Sequence, residues 1–326
     1  MGNPAAETKN VARVKALQRK QPAMTKLKTT VLRTSKGAKI SEGDTIYAWY
    51  AGKLLKNGKQ FDANYDFKSF AVSTPSPSYV QLNSKTLLEP KQKPLLNFVV
   101  GGGTVIPGMD EAFKQNRRVG EVVEITIPAK QAYGKEGSGD SIPPNSDLVF
   151  TVEVVASQKT ASSDPKFTQL KDFGVNTKKL GLTPEALNEL NAVKIGLDSA
   201  DRLIGDNSKD LLVGLNGNDK LVGAGGADVL IGGGGKNRFV YTDINDSPAG
   251  KSENDSIYGF GKKDKINLRA LDADLSFIGA DKFSGAAGDV RFKKGLLELD
   301  LDGDGSADFS IALPGTKALK DSNLLL

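Results

Sequence analysis

Five side chains that could bind a cation recur at every ninth position in the second half of this 326-residue chain. The blocks read GLDSADRLI, GDNSKDLLV, GLNGNDKLV, GAGGADVLI and GGGGKNRFV, without a gap over residues 196–240. Glycine tolerates the positive φ angles that let carbonyl oxygens converge, and carboxylates supply charge to a hard cation. Because Mg²⁺ demands a small octahedron and Zn²⁺ prefers nitrogen or sulfur, the pattern predicts Ca²⁺. The predicted ligands are the sixth residues of the blocks: Asp201, Asp210, Asp219, Asp228 and Asn237.

The eighth residue of every block is apolar, from Leu203 to Phe239. This spacing predicts a six-residue loop followed by a short strand whose eighth residue points inward, so that two blocks complete one turn of a parallel β-roll. The alternative is a flexible Gly-Asp-rich linker, which would explain the composition. It would not explain five in-register copies, and these favour the roll. Loops two blocks apart then stack, and the paired sixth residues would be Asp201 with Asp219, Asp210 with Asp228, and Asp219 with Asn237.

A second acidic group lies further along the chain and begins like an EF-hand loop. Its carboxylates are Asp300, Asp302, Asp304 and Asp308, with Gly305 among them. The bidentate glutamate of such a loop is missing, because Ile311 stands at the twelfth place. Two interpretations stay open, a further calcium site or a polar turn between two strands.

The chain contains neither cysteine nor histidine. This excludes disulfides, thiolate and imidazole metal sites, cysteine nucleophiles and Ser-His-Asp triads, and with them most hydrolase chemistry. No apolar run approaches the roughly 18 residues of a membrane span, and residues 1–28 lack the apolar region of a signal peptide. We therefore expect no transmembrane segment and no Sec-type export.

Charge separates the two halves of the chain. Residues 1–160 hold 23 basic and 14 acidic residues, a net charge of +9, whereas the remainder has a net charge of −4. Residues 1–28 carry seven of the basic residues and are predicted to be a disordered tail. An anion-binding or RNA-binding arm is the alternative, but no aromatic residues are interleaved there, and we expect no nucleic-acid partner.

Alternating apolar and polar residues between 29 and 156 predict half-buried antiparallel strands. One short helix follows Pro107-Gly108, which makes this region an α+β domain. Residues 63–97 interrupt it as a long, proline-containing insertion. Residues 157–195 are expected to be a linker and cap, with a short helix starting at Thr183, and residues 196–326 form the last domain. Because residues 157–164 are polar, the two halves are expected to behave independently.

Motifs spread over about residues 29–156 resemble the FKBP family of peptidyl-prolyl isomerases. They are Tyr50-Ala-Gly-Lys-Leu, Gly58-Lys-Gln-Phe-Asp, Val105-Ile-Pro-Gly-Met-Asp-Glu-Ala, Ala132-Tyr-Gly and Ile142-Pro-Pro-Asn, in that order. The resemblance implies an antiparallel sheet wrapped on one short helix and an isomerase that needs no cofactor. Rotation about an X-Pro bond moves no proton, so the absence of histidine and cysteine costs this chemistry nothing.

The same resemblance implies a proline pocket lined by aromatic and aliphatic side chains. The backbone N–H of Ile106 and the Tyr133 hydroxyl would hydrogen-bond to substrate carbonyls, and Asp62 would lie near the twisting carbonyl. Met109 takes the place at the pocket floor where the family usually has tryptophan. The implied site residues are Tyr50, Phe61, Asp62, Val105, Ile106, Met109, Tyr133 and Phe150.

Residues 196–326 resemble the RTX repeats of secreted bacterial proteins, followed by the C-terminal domain of serralysin proteases. The resemblance implies calcium-dependent folding and export by type I secretion machinery, with an uncleaved signal near residues 318–326. The protease motif H-E-x-x-H is absent, since the chain has no histidine. The sequence thus predicts a secreted isomerase that assists the folding of proline-containing polypeptides. The alternatives are a non-catalytic FKBP-fold binding protein or chaperone, and a calcium-dependent surface or adhesive protein.

Overall fold

The computed structural model describes residues 26–64, 79–80, 89–90, 95–159, 166–167, 169–183, 187, 189–190, 192–250, 252–272 and 274–326. Two helices lie wholly in these residues: α1 is Pro107–Phe113 and α2 is Thr177–Leu180. The strands of the first half are β1 Lys28–Arg33, β2 Thr45–Leu54, β3 Gln60–Ala63, β4 Tyr79–Val80, β5 Glu89–Pro90, β6 Leu96–Val99, β7 Val122–Ile127, β8 Leu148–Gln158 and β9 Lys166–Phe167.

The second half contains only strands and short 3-10 turns among its described residues. Its strands are β10 Ala192–Ile195, β11 Arg202–Ile204, β12 Asp210–Val213, β13 Asn216–Gly217, β14 Lys220–Val222, β15 Val229–Ile231, β16 Gly234–Gly235, β17 Arg238–Val240, β18 Asp255–Tyr258, β19 Lys265–Asn267, β20 Ser276–Phe277, β21 Asp289–Lys293, β22 Leu296–Asp300, β23 Phe309–Ala312 and β24 Leu324–Leu325.

The first half is an antiparallel sheet with strand order β1-β7-β8-β2-β3; β6 pairs with β2, and β9 with β8. Its strands form because apolar residues alternate, and those facing α1 are fully buried. The helix begins with Pro107 in its first turn, where a missing N–H costs no hydrogen bond. A Cβ at Gly108 would lie 2.3 Å from Cγ2 of Ile127, so only glycine lets the helix approach β7 this closely.

The second half is a parallel roll built from two sheets. One runs β10-β12-β15-β18, and the other β11-β14-β17-β19-β24. Leu203 lies in register with Leu221, and Leu221 with Phe239, so within the repeats neighbouring strands of a sheet are 18 residues apart. The predicted fold class, an α+β sheet-and-helix domain followed by a parallel β-roll, is confirmed.

After the roll, the first sheet continues through an antiparallel meander of β23, β22 and β21. Residues 301–308 are the connection between β22 and β23, which pair antiparallel. The last strand, β24, pairs with β19 and buries Leu324 in the roll's core. The segment predicted to carry an export signal is therefore part of the folded structure.

The first strand of the roll, β10, carries a lysine at the register position of a core residue. Lys194 lies in register with Leu212 and is buried. Its ammonium donates a hydrogen bond to the carbonyl of Ile204. A charged group therefore closes the first turn of the roll's apolar interior.

A shared apolar cluster joins the two halves, contrary to the expectation that little more than a polar linker connects them. Trp49 and Val155, from the face of the sheet away from α1, pack in one cluster with Leu211, Val213 and Ile231 of the roll. The segment between the halves adds Leu170, Val175 and Leu182 to this cluster. The polar residues 157–158 suggested the start of a linker, but they belong to β8, where Ser157 is buried.

Several predictions fall partly outside the described residues. Residues 1–25 of the basic tail and most of the insertion 63–97 lie outside them, as do residues 184–186 of the expected helix at Thr183. The Leu187 N–H does donate to the Thr183 carbonyl, at 3.1 Å. Within the described part of the chain, no helix has the length and apolarity needed to cross a membrane.

Candidate functional site

Three aromatic rings meet on the concave side of the sheet, on strands β2, β3 and β8. The ring centroids of Phe61 and Phe150 lie 5.6 Å apart at 81°, an edge-to-face contact. Those of Tyr50 and Phe150 are 6.4 Å apart. Gly52 leaves room for these rings, since a Cβ there would lie 2.7 Å from both Phe61 and Phe150. The result is an apolar aromatic wall of fixed geometry.

The carboxylate of Asp62 lies at the border of this wall. The Tyr50 hydroxyl donates a 2.5 Å hydrogen bond to Oδ2 of Asp62. Burial, and then this bond to the carboxylate, raise the pKa of Tyr50 well above its ordinary value. The phenol therefore stays protonated. Tyr133 lies near enough to contribute to that rise.

The start of α1 supplies the opposite wall. Met109 is buried in the core of the sheet, while Val105 and Ile106 pack against that core and are partly exposed. Ile106 is the residue that caps the helix, and its carbonyl accepts from the N–H groups of Met109 and Asp110. Within the described residues, no hydrogen-bond acceptor lies opposite the Ile106 N–H. That N–H can therefore receive a ligand carbonyl.

The structure thus brings Tyr50, Phe61, Val105, Ile106, Met109 and Phe150 into one apolar cluster. Asp62 joins it through Tyr50, and Tyr133 stands at its border, 37% exposed. Two residues that the sequence analysis missed position this group. Gly52 gives the rings their space, and Asn64 accepts from the Tyr50 N–H at 2.6 Å and donates to the Ala48 carbonyl at 3.1 Å.

A ladder of buried carboxylates and one amide runs along the roll. The N–H of Asp201 donates to Oδ1 of Asp219 at 2.9 Å, and the N–H of Asp219 donates to Oδ1 of Asn237 at 3.0 Å. On the other side, the N–H of Asp210 donates to Oδ1 of Asp228 at 2.8 Å. These are the pairs that the nine-residue period predicts.

The ladder continues beyond the repeats to two carboxylates that the sequence analysis missed. The N–H of Asp228 donates to Oδ1 of Asp255, and the N–H of Asn237 donates to Oδ1 of Asp264, each at 2.9 Å. The sequence does carry a signal for these two aspartates. Ile257 and Ile266 follow two residues after them and are buried, as the eighth residues of the repeats are. A 27-residue spacing in place of 18 conceals it.

The second oxygens of several ladder carboxylates are buried without a hydrogen-bond partner. They are Oδ2 of Asp219, Asp228 and Asp255, and the buried hydroxyl of Tyr241 interacts with the last of these carboxylates. Two of them converge, since a Cβ at Gly223 would lie 2.2 Å from Oδ2 of Asp228 and 3.0 Å from Oδ2 of Asp255. Burial raises the pKa of Asp219 to about 7, and burial with the neighbouring Asp255 raises that of Asp228. A buried like-charged pair requires protons or a cation, and an oxygen-seeking cation fits this donor set.

The second acidic group has a different arrangement. Oxygens of Asp300, Asp302 and Asp304 lie within 4.8 Å of one another. Asp300 is buried, and its two oxygens accept from the N–H groups of Gly303 and Gly305. Asp308 accepts from the Leu301 N–H at 2.7 Å. These bonds stabilise the turn between β22 and β23, and the cluster remains compatible with an ion.

Comparison with known proteins follows the same division of the chain. Residues 36–155 match the family model for FKBP-type peptidyl-prolyl cis-trans isomerase, and residues 204–326 match that for the C terminal of peptidase M10 serralysin. The parallel strands of the roll agree with the second match.

Individual relatives resemble the first half. FK506-binding protein 2 of Yarrowia lipolytica is 34% identical over 126 residues, which are 39% of this chain and 69% of that protein. FK506-binding protein 1A of Neurospora crassa is 35% identical over 113 residues, 35% of this chain and 72% of that protein. Peptidyl-prolyl cis-trans isomerase FKBP53 of Arabidopsis thaliana is 34% identical over 119 residues, 36% of this chain but only 19% of that relative's length.

Proposed function

The chain belongs to the FKBP-type peptidyl-prolyl cis-trans isomerase family, and on that premise we propose that residues 29–156 form a domain that isomerises X-Pro bonds in proline-containing polypeptides. The barrier to this rotation is about 20 kcal/mol, because the planar amide has partial double-bond character. Twisting removes that charge separation, so an apolar surface stabilises the twisted state relative to the planar one. The aromatic wall around Gly52 is the observation that carries the proposal.

Each site residue has a proposed part in this step. Tyr50, Phe61 and Phe150 form the wall against which the proline ring packs, and Val105 and Met109 close it from the helix side. The Ile106 N–H and the Tyr133 hydroxyl hold substrate carbonyls. Asp62, fixed by its hydrogen bond from Tyr50, lies beside the carbonyl that turns. No proton transfer is required.

An exchange assay on a proline-containing peptide tests this assignment with the full-length protein. We expect Asp62→Ala to lower kcat/KM while the sheet stays folded, because the Asp62 side chain is exposed. Asp140→Ala, which removes another exposed carboxylate, is the matched control and should leave turnover unchanged. Equal turnover in both variants would refute the site. A folded wild-type protein without turnover would favour the alternative, an FKBP-fold binding protein or chaperone.

We further propose that the roll binds Ca²⁺ between stacked loops, through Asp201, Asp210, Asp219, Asp228 and Asn237, with Asp255 and Asp264 added at its far end. The buried, unpartnered oxygens of Asp219 and Asp228 support this, since a bound cation would neutralise them. The group Asp300, Asp302, Asp304 and Asp308 is a weaker candidate, because backbone N–H groups already satisfy Asp300 and Asp308.

Calorimetric titration of the full-length protein with calcium tests these ligands. Asp219 belongs to two stacked pairs and Asp201 to one. We therefore expect Asp219→Ala to lose more bound calcium than Asp201→Ala, with Asp302→Ala, in the exposed turn, as a comparison. Equal loss from the first two variants would contradict a shared ligand.

The serralysin-type match supports a third proposal, that the protein is secreted by type I machinery through an uncleaved C-terminal signal. Low cytosolic calcium would leave the carboxylates repelling one another, and extracellular calcium would order the roll. Deleting residues 318–326 should stop export from a cell that carries such machinery, while deleting residues 1–25 should not. Export of the C-terminally shortened chain would refute the signal.

A further inference from the structure

The first loop of the roll is held by a buried arginine from the isomerase sheet. Arg33, on β1, is fully buried, and its guanidinium forms an ion pair with Glu153 of β8. Nη1 donates to the carbonyls of Ile195 and Gly196, at 3.3 and 3.5 Å. Those two carbonyls lie where β10 ends and the first nonapeptide loop begins. One side chain therefore connects two strands of the sheet to the roll.

A second set of contacts, made by Asp198, holds the same loop. Oδ2 of Asp198 accepts hydrogen bonds from the N–H and the hydroxyl of Thr34, at 2.9 and 2.8 Å. The Asp198 N–H donates to the Leu32 carbonyl at 3.1 Å. Oδ1 of Asp198 accepts from Nδ2 of Asn216 at 2.8 Å. Because Asn216 lies in the loop stacked on the first one, Asp198 connects β1 to both loops of the Asp201–Asp219 pair.

The interface lies directly behind the aromatic wall. Trp49, 1% exposed, is the residue before Tyr50, and its ring packs toward the roll with Leu211 and Val213. On β8, Glu153 lies three residues after Phe150. The strands that present the wall on one face therefore meet the roll with their other face.

We propose that residues 196–201 form a calcium-responsive clamp, through which cation binding between the first and third loops stabilises the isomerase sheet and the packing of Trp49. This rests on the proposed calcium function of the roll. A cation that binds only the ordered loops stabilises those loops by its binding free energy, and with them the contacts that they make to the isomerase sheet. By linkage, docking of the sheet through Arg33 and Asp198 also favours cation binding at Asp201 and Asp219.

Trp49 is the only tryptophan of the chain, so its fluorescence reports this interface alone. With the full-length protein, we expect chelation to shift the emission to longer wavelength, and calcium to restore it over the range in which calorimetry detects binding. Calcium at a hundredfold excess over Kd should raise the Trp49-monitored melting midpoint by about 5 °C. Isomerase turnover should fall on chelation and recover with calcium.

Asp198→Ala breaks the clamp without removing a sixth-place residue. We expect this variant to bind calcium in the same number but to lose most of the midpoint shift. Asn207→Ala, at the third place of the next repeat, is the matched control and should keep that shift. Calcium binding detected calorimetrically with no change in Trp49 emission or melting would overturn the clamp and leave the calcium proposal intact. Absence of calcium binding would overturn both.

Discussion

The two halves of the molecule treat buried charge in opposite ways. In the isomerase sheet, the fully buried cation Arg33 is paired with the buried anion Glu153 of the same chain. In the roll, the buried charges are all of one sign along the ladder from Asp219 and Asp228 to Asp255. A buried charge is costly unless a partner of opposite sign is near. The sheet carries its own partner, whereas the roll must take one from solution.

The largest expected effect comes from withholding that partner. Chelation at pH 8 should abolish the unfolding transition of the roll, because the buried carboxylates repel one another and keep no counter-ion. Circular dichroism and calorimetry with and without chelator measure this directly. Because of the shared cluster around Trp49, the transition of the sheet should also move to lower temperature. A roll that melts identically with and without calcium would erase the contrast between the halves.

Breaking the internal pair of the sheet should have the next largest effect. Glu153→Gln leaves Arg33 buried without its anion and should cost about 3–5 kcal/mol of unfolding free energy. The double variant Arg33→Met with Glu153→Leu removes both charges and should be less destabilised than the single variant. Denaturant unfolding at saturating calcium makes the comparison. A larger loss in the double variant than in the single one would show that the carbonyl contacts of Arg33, rather than its pairing with Glu153, carry the stabilisation.

Acid should partly replace the cation in the calcium-free roll. Burial raises the pKa of Asp219 to about 7, far above the roughly 3.9 of an aspartate in an unfolded chain. A raised folded-state pKa gives stability that is complete below the unfolded value and is lost as pH rises through the folded one. The calcium-free roll should therefore be more stable at pH 5 than at pH 8. Thermal melts in chelator across this range test the sign, and a loss of stability on acidification would contradict it.

The smallest effect concerns the border of the aromatic wall. Tyr133→Phe removes one hydroxyl that is partly exposed, which should weaken transition-state binding by about 1 kcal/mol in a protein that stays folded. Phe150→Ala removes a buried ring instead, and should cost about 3–5 kcal/mol of stability together with turnover. Parallel measurement of kcat/KM and melting separates the two. A destabilised Tyr133→Phe protein would place that hydroxyl in the core of the domain.

The sequence could predict features that depend on local periodicity. The stacked pairs Asp201–Asp219 and Asp210–Asp228 follow from a nine-residue repeat, and the roll follows with them. Asp255 escaped because an insertion lengthens the spacing while the aspartate and its inward-facing neighbour Ile257 are retained. A ladder is predictable while its period holds and becomes obscure when one turn is longer.

The contact between the halves could not be predicted in this way. Trp49 occupies an alternating strand position that suits solvent or a partner equally, and Arg33 is one basic residue among many. Only the fold shows that both point at the first loop of the roll. Composition indicated a polar connection, whereas the packing depends on which strand face remains uncovered. Long-range contacts of this kind leave no spacing in the sequence.

Lys194 has a consequence for how copies of this protein meet. A parallel roll with an open end is a template onto which another roll could add strands, the route by which edges build fibres. At the β10 end, the position in register with Leu212 holds an ammonium group instead of an aliphatic side chain. A second roll stacking there would bury that charge against its own core. Together with the sheet that covers the first loop, Lys194 therefore disfavours head-to-tail stacking of rolls at this end.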